Sequence, residues 1–209
     1  MQRKIIPVTP FAQNCSVIWC EQTLAAAVID PGGDIQKIIA VINQYQLQVD
    51  KILLTHGHLD HVGGAQELAD ALAVPVLGPH KADEFWLSML DQQALRFGLT
   101  NTGNLTPSRY LEEGEVIDIG NMQLEVIFTP GHTPGHIVFV NKQQKHAWVG
   151  DVLFKGSIGR TDFPMSVHQD LIDSIKLKLL PLGEEYTFTP GHGPESSFGF
   201  EAKTNPFLS

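Results

Sequence analysis

Three short stretches hold six of the nine histidines in this chain. The densest is Thr55-His56-Gly57-His58-Leu59-Asp60-His61. The second is Thr129-Pro130-Gly131-His132-Thr133-Pro134-Gly135-His136, and the third is Phe188-Thr189-Pro190-Gly191-His192, which repeats the Phe-Thr-Pro-Gly-His of 128–132. Asp151 adds a carboxylate in Trp148-Val149-Gly150-Asp151. A single histidine in a turn is ordinarily solvated or structural. Four potential ligands between His56 and His61, with matching partners far downstream, point to a metal site.

The spacing divides the set. His56 and His58 stand two apart in extended chain and leave on the same face. Asp60 and His61 follow where the chain turns into a helix, so they can serve a neighbouring position. One cation would then take His56, His58 and His132, and a second Asp60, His61 and His192, with Asp151 bridging both. His136 is expected behind the ligands, because the first cation already has three imidazoles and such partners orient ligands. Imidazole and carboxylate donors suit divalent zinc first, with iron or manganese as alternatives. His80, His146 and His168 are isolated, and surface or capping roles are expected for them. A set of this kind supports hydrolysis, because a bound cation lowers the pKa of water to about 7. Asp60 is placed both as a ligand and as the catalytic residue that accepts the hydrogen bond of the attacking oxygen and aims it.

To converge, these clusters must sit at the ends of neighbouring strands, and each follows an apolar run. Ser16 to Cys20 and Leu24 to Ile29 read as paired strands, the second ending at the turn tetrad Asp30-Pro31-Gly32-Gly33. Asp34 is expected to cap a helix carrying Ile35, Ile38, Ile39 and Ile42. Lys51 to Leu54 is a strand running into the first cluster, Val62 to Leu72 the next helix, and Val74 to Leu77 a strand. Residues 81–109 read as a helical insert with a polar loop at Thr100-Asn101-Thr102-Gly103-Asn104. Its Phe85, Trp86 and Phe97 either wall a substrate pocket or only dock the insert. Val116 to Ile119 and Met122 to Phe128 flank Gly120-Asn121 as a hairpin. Ile137 to Val140, Ala147 to Val149 and Tyr186 to Phe188 are further strands. Ser166-Val167-His168-Gln169 has capping-box spacing before a helix that runs toward Pro181.

The bulk properties agree with an enzyme of small molecules. With 209 residues, 43% hydrophobic and 18% charged, the chain is long enough for a substantial core and is read as one domain over 1–209. A net charge of −9 makes nucleic acid a poor partner. Cys15 and Cys20 fall on opposite faces of one strand, so they are expected to pack in the core and not to pair. No apolar run reaches the roughly 18 residues a membrane span needs. The N-terminus lacks a signal-peptide core, and a cytoplasmic location is expected. Oligomeric state is not set by these features.

The His-x-His-x-Asp-His run with later His132, Asp151 and His192 resembles the metallo-β-lactamase superfamily at all seven positions. The resemblance covers the chain from the strand before Asp30 to His192 and implies a four-layer αββα sandwich. Thr-Pro-Gly-His-Thr-Pro-Gly-His and Gly150-Asp151-Val152-Leu153-Phe154 are most similar to glyoxalase II, the hydroxyacylglutathione hydrolases. Gly159-Arg160-Thr161-Asp162-Phe163-Pro164 also resembles the loop after that group's bridging aspartate. The likeness is closest to the short bacterial type without the C-terminal helical domain that helps hold glutathione, because only 17 residues follow His192. It implies a glutathione thioester such as S-lactoylglutathione as substrate. A thiol of pKa about 8.5 leaves without a strong general acid. Arg160 or Lys155 could pair with a substrate carboxylate, and the resemblance favours Arg160; a surface salt bridge is the plainer role. Rival readings are an iron-dependent persulfide dioxygenase, a lactonase or β-lactamase, a tRNA-processing nuclease disfavoured by charge, and a non-catalytic metal-binding module.

Overall fold

The computed structural model describes residues 1–98 and 103–208. Two sheets face each other. The first has the order β1 (Gln2–Val8), β2 (Gln13–Trp19), β3 (Ala25–Ile29), β4 (Gln48–Leu53) and β5 (Val76–Leu77). The second runs β13 (Ser196–Ser197), β12 (Thr187–Pro190), β9 (His146–Gly150), β8 (Ile137–Asn141), β7 (Met122–Phe128) and β6 (Val116–Ile119). A small hairpin, β10 (Leu153–Phe154) with β11 (Ser157–Ile158), follows β9.

Side-chain alternation makes four layers from these sheets. Successive residues of a strand point to opposite faces. In β3, Ala26 and Val28 join an outer core with Ile35, Ile38 and Ile42 of α1 (Ile35–Gln44) and with Leu68 of α3 (Ala65–Leu72). Ala27 and Ile29 instead meet Ile137, Phe139 and Trp148 between the sheets. In β8, Val138 and Val140 turn the other way, onto Leu171 of α6 (His168–Asp173) and onto Phe198 of α7 (Phe198–Thr204). The layers are helix, sheet, sheet, helix, an αββα sandwich. Cys15 and Cys20 are both free and buried, in the outer and the inter-sheet core respectively.

Several local expectations change. Asp34 precedes α1 but does not cap it: its backbone is left-handed, and its carboxylate accepts from Thr9 N at 3.1 Å and Lys37 Nζ at 2.8 Å. The expected helix over 62–72 is split into α2 (Leu59–Val62) and α3, with Gly63 and Gly64 at the break. Ser166 does not cap α6; Val167 precedes the helix, and the Ser166 hydroxyl donates to His132 O at 2.7 Å. That helix continues as a π-helical stretch over Ser174–Leu179 and ends in a 3₁₀ turn carrying Pro181. The strands β1, β10, β11 and β13 and the helix α7 are present beyond those expected from the sequence. Within the insert lie α4 (Glu84–Leu87) and α5 (Leu90–Phe97). Three residues of its polar stretch, 100–102, lie outside the described residues. No helix among the described residues is long and apolar enough to cross a membrane.

Strand direction positions the site. β3 is parallel to β4, and β12 is parallel to β9. β7 and β9 both run antiparallel to β8, so they share a direction. The loops after β3, β4, β7, β9 and β12 therefore open on one edge. The sheets are stitched there by Ile137 N to Thr55 O at 2.9 Å and Asn14 N to Gly191 O at 2.7 Å.

Candidate metal centre and its cleft

The loop after β4 delivers His56 and His58, and the loop after β7 delivers His132. His58 Nδ1 lies 3.1 Å from His56 Nε2 and 3.0 Å from His132 Nε2. The ligand atoms of these three rings lie within 4.8 Å of one another, as do those of Asp60, His61 and His192. Asp151 lies between the two groups. Its Oδ1 is 3.3 Å from His61 Nε2, and its Oδ2 is 3.6 Å from His132 Nε2 and 3.7 Å from His192 Nε2. Asp60 Oδ2 is 3.0 Å from His192 Nε2. All seven residues singled out from the sequence thus meet at one place.

Four of the five rings are held by the nitrogen that faces away from the cluster. His132 Nδ1 donates to Arg160 O at 2.8 Å, and His192 Nδ1 to Phe11 O at 3.2 Å. His61 Nδ1 donates to Asp30 Oδ2 at 2.9 Å. Thr55 Oγ1 gives its proton to Asp30 Oδ2 at 2.6 Å, so its lone pair accepts from His56 Nδ1 at 3.1 Å. Each of these rings therefore aims the Nε2 lone pair inward. His58 is the exception, turning Nδ1 to the cluster and packing edge-on against Trp86, 4.6 Å between centroids. Backbone must come close to let this happen. A Cβ at Gly191 would lie 2.1 Å from Asp151 Oδ1 and 2.6 Å from His61 Cε1, so only glycine fits beside the carboxylate.

The electrostatics call for a cation. Burial and neighbouring imidazoles hold His56, His58 and His136 well below the ordinary histidine pKa. Burial also lowers His132, against the pull of Asp151. His61 goes the other way: burial opposes its proton, but Asp151, Asp60 and Asp30 together raise it well above the usual value. Burial opposes ionisation of Asp151 as well, yet His61, His132 and His192 hold it far below the usual carboxylate range. Positive charge is thus demanded among these carboxylates. Two inward-facing atoms, His61 Nε2 and Asp151 Oδ1, are buried without a hydrogen-bond partner. Buried polar atoms are rarely left so unless something else fills the space. The donors, their aim and these orphaned atoms fit a metal.

His136 lies beneath the cluster, stacked on His56 with centroids 4.7 Å apart, and its Nε2 accepts from Asp151 N at 3.1 Å. Accepting there needs a neutral ring, which its lowered pKa supplies. Asp30, expected only as turn chemistry, fixes both Thr55 and His61. No local signal marked it, because its partners are 25 and 31 residues away. His80 caps the 3₁₀ turn Lys81–Asp83 by accepting from Ala82 N, and His168 is exposed at the start of α6, so both meet expectation. His146 does not: it is buried between Thr187 Oγ1 (2.7 Å) and Thr189 Oγ1 (3.0 Å), because its position in β9 faces β12, and burial lowers its pKa to about 4.

Above the cluster is a cleft of about 370 Å³ whose lining includes Phe11, Trp86, Phe97, Phe154 and Phe163. The insert thus lends Trp86 and Phe97 to the cleft, while Phe85 lines a separate groove with Tyr110. Arg160 also lines the cleft, but its guanidinium is engaged by Asp162 at 2.9 and 2.7 Å and stacks on Phe163 at 4.6 Å. Lys155 is not brought to this cleft: the β10–β11 turn carries it over Phe200, 5.8 Å from the ring, beside a different groove. Arg96, not foreseen, lines the cleft and makes no ion pair among the described residues.

Comparison with known proteins agrees with this geometry. Residues 8–192 match the family model described as the metallo-beta-lactamase superfamily. The chain is 46% identical to hydroxyacylglutathione hydrolase GloC of Haemophilus influenzae over 100% of this chain and 99% of that one. Among solved structures it is similar to the BLEG-1 B3 metallo-beta-lactamase, with a TM-score of 0.92, 35% identity and 100% coverage of both chains. It is also similar to TTHA1623 in a di-iron-bound form, with a TM-score of 0.90, 36% identity and coverage of 98% of this chain and 100% of that chain. The chain belongs to the metallo-beta-lactamase superfamily.

Proposed function

We propose that this chain is a metal-dependent thioester hydrolase of the glyoxalase II type, acting on S-lactoylglutathione or a close hydroxyacylglutathione to give glutathione and a 2-hydroxy acid. The observation that carries the reading is the pair of ligand groups joined by Asp151 at the floor of an aromatic cleft. The 46% identity to a hydroxyacylglutathione hydrolase supports the substrate class. The residues 1–209 are taken as one catalytic domain, supported by the inter-sheet core to which both halves contribute.

His56, His58 and His132 would hold one divalent cation in this scheme, and Asp60, His61 and His192 a second, with Asp151 placed between the two groups. Zinc suits these donors, and iron or manganese take the same types. When bound, such cations would supply an activated water near neutral pH and Lewis acidity toward the carbonyl. The residues of the chain do the rest. Asp60 lines the cleft and accepts the hydrogen bond of the attacking oxygen, orienting its lone pair at the carbonyl carbon. Asp30 and Arg160 O keep His61 and His132 in the tautomer that binds. Trp86, Phe97 and Phe163 keep water from the acyl group. The sulfur departs as thiolate, so no general acid is required. Arg96, which makes no ion pair among the described residues, is placed to meet a glutathione carboxylate, and Arg160 joins it only by releasing Asp162.

The test is a steady-state assay of metal-replete protein on S-lactoylglutathione beside a β-lactam, a lactone and glutathione persulfide with an oxygen electrode. Turnover that is fastest on the thioester is expected. Oxygen uptake with the persulfide and no thioester cleavage would replace this reading by a dioxygenase.

A further inference from the structure

Asp83 is fully buried, and no cation among the described residues pairs with it. Its charge is held by three donors alone. Oδ2 accepts from Gly57 N at 2.8 Å and from Thr133 Oγ1 at 2.8 Å, and Oδ1 accepts from Gly135 N. Gly57 lies between His56 and His58. Thr133 and Gly135 lie between His132 and His136. One carboxylate thus ties the loop after β4 to the loop after β7. Those are the two loops whose rings meet at 3.0 Å, His58 against His132.

The fit around this tie is close. A Cβ at Gly135 would lie 2.3 Å from Asp83 N and 2.7 Å from His80 O, so the second loop runs flush against the 80–83 turn. His80 N donates to Gly135 O at 3.1 Å on the same side. Gln93 adds a second link from the insert to the first loop, accepting from Leu59 N at 2.9 Å and donating to Gly57 O at 3.3 Å. A buried carboxylate without a counter-charge is costly. Burial raises the pKa of this one to about 6. Docking of the insert alone would not call for it, since Trp86, Leu87, Leu90 and Ala94 already bury an apolar face. What an apolar residue could not do is gather donors from two loops to one point.

We propose that Asp83 is a positioning residue that sets the distance and angle between the His56–His58 loop and the His132 loop, and through them the geometry of the metal centre. It touches neither substrate nor ligand atoms. The proposal rests on the reading of these histidines as metal ligands, but not on the thioester as substrate.

The chemistry of the pair Asp and Asn makes the claim testable. In Asp83→Asn one of the two oxygens becomes an NH2 that confronts a backbone or hydroxyl donor, so one loop must shift. Thr133→Val keeps the shape and removes a single donor. Both variants would be made in the full chain, stripped of metal, and titrated with zinc against a chromophoric chelator, then assayed for kcat and KM on S-lactoylglutathione. Supporting partners of metal ligands change affinity by roughly 10- to 100-fold, and a drop of that size is expected for Asp83→Asn with kcat falling and KM little changed. Thr133→Val should weaken zinc about fivefold, the loss of one hydrogen bond. A folded Asp83→Asn with parental zinc affinity and kcat, and only a raised KM, would show that the carboxylate merely docks the insert wall and would overturn the proposal. Should Asp83→Asn fail to fold, Thr133→Val decides, and unchanged zinc affinity there overturns it equally. Zinc affinity is read without substrate, so failure of the thioester reading leaves this result standing on its own.

Discussion

His56 and His61 on the floor of the cleft have no accessible surface, whereas Phe11 and Phe97 on its walls are 42% and 50% exposed. The floor is built at the ends of paired strands, and every ring that aims Nε2 inward is fixed at its far nitrogen by a backbone oxygen, a hydroxyl or a carboxylate. The walls come from the short helices of the insert and from the loop between β1 and β2, which meet where Phe11 and Phe97 stack edge to face at 5.6 Å. A rigid floor suits chemistry that demands close placement of charge. Cleft-facing side chains on short, exposed elements suit selection among substrates, while Asp83 and Gln93 of the same insert hold the floor loops in place.

This contrast predicts a split in kinetic effects. The largest should come from the floor. Asp60→Ala removes a carboxylate 3.0 Å from His192 Nε2 and, in the proposed mechanism, the acceptor for the attacking oxygen. A loss in kcat of at least about a hundredfold is expected, the lower range for a positioned proton acceptor, with the folded state retained by circular dichroism. Parental turnover in a metal-replete Asp60→Ala would place the nucleophile elsewhere and erase the distinction between floor and wall.

Wall substitutions should act on KM. Arg96→Ala is expected to raise KM for the glutathione thioester several-fold, in the range of one charge-assisted hydrogen bond, and to spare a small thioester without the carboxylate. Arg160→Ala should do less, by about threefold at most, because its guanidinium is already taken by exposed Asp162. Measuring both variants on both substrates sharpens the comparison. Equal losses on the two thioesters would mean that neither arginine reads the tail.

The floor was legible in the sequence and much of what supports it was not, for a physical reason. His56, His58, Asp60 and His61 lie within one turn of chain, and the repeated Thr-Pro-Gly-His marks two strand ends of like shape. Asp30, Asp83 and Gln93 reach their partners across the fold, and nothing in their neighbourhoods announces it. Arg96 is an ordinary residue of a helix until the insert docks. β1 is not legible in the sequence because it is an edge strand, largely exposed and carrying Pro7, so it lacks the apolar run that marks the others. The buried place of His146 is not legible, because a lone histidine gives no sign of two threonines waiting on a neighbouring strand. The insert was recognised by its aromatics, but only the structure separates Trp86 and Phe97 on the cleft from Phe85 on another groove.

The central claim is that two metals held on one floor drive thioester cleavage. Its most direct test is a stepwise titration of metal-stripped protein with zinc, and in parallel with ferrous iron and manganese, following bound metal per chain and hydrolysis of S-lactoylglutathione in the same samples. The account predicts binding that saturates at two metals per chain, with activity rising as the sites fill and both lost together on chelation. Saturation at one metal with no further uptake, or full thioesterase activity in the metal-free protein, would contradict it.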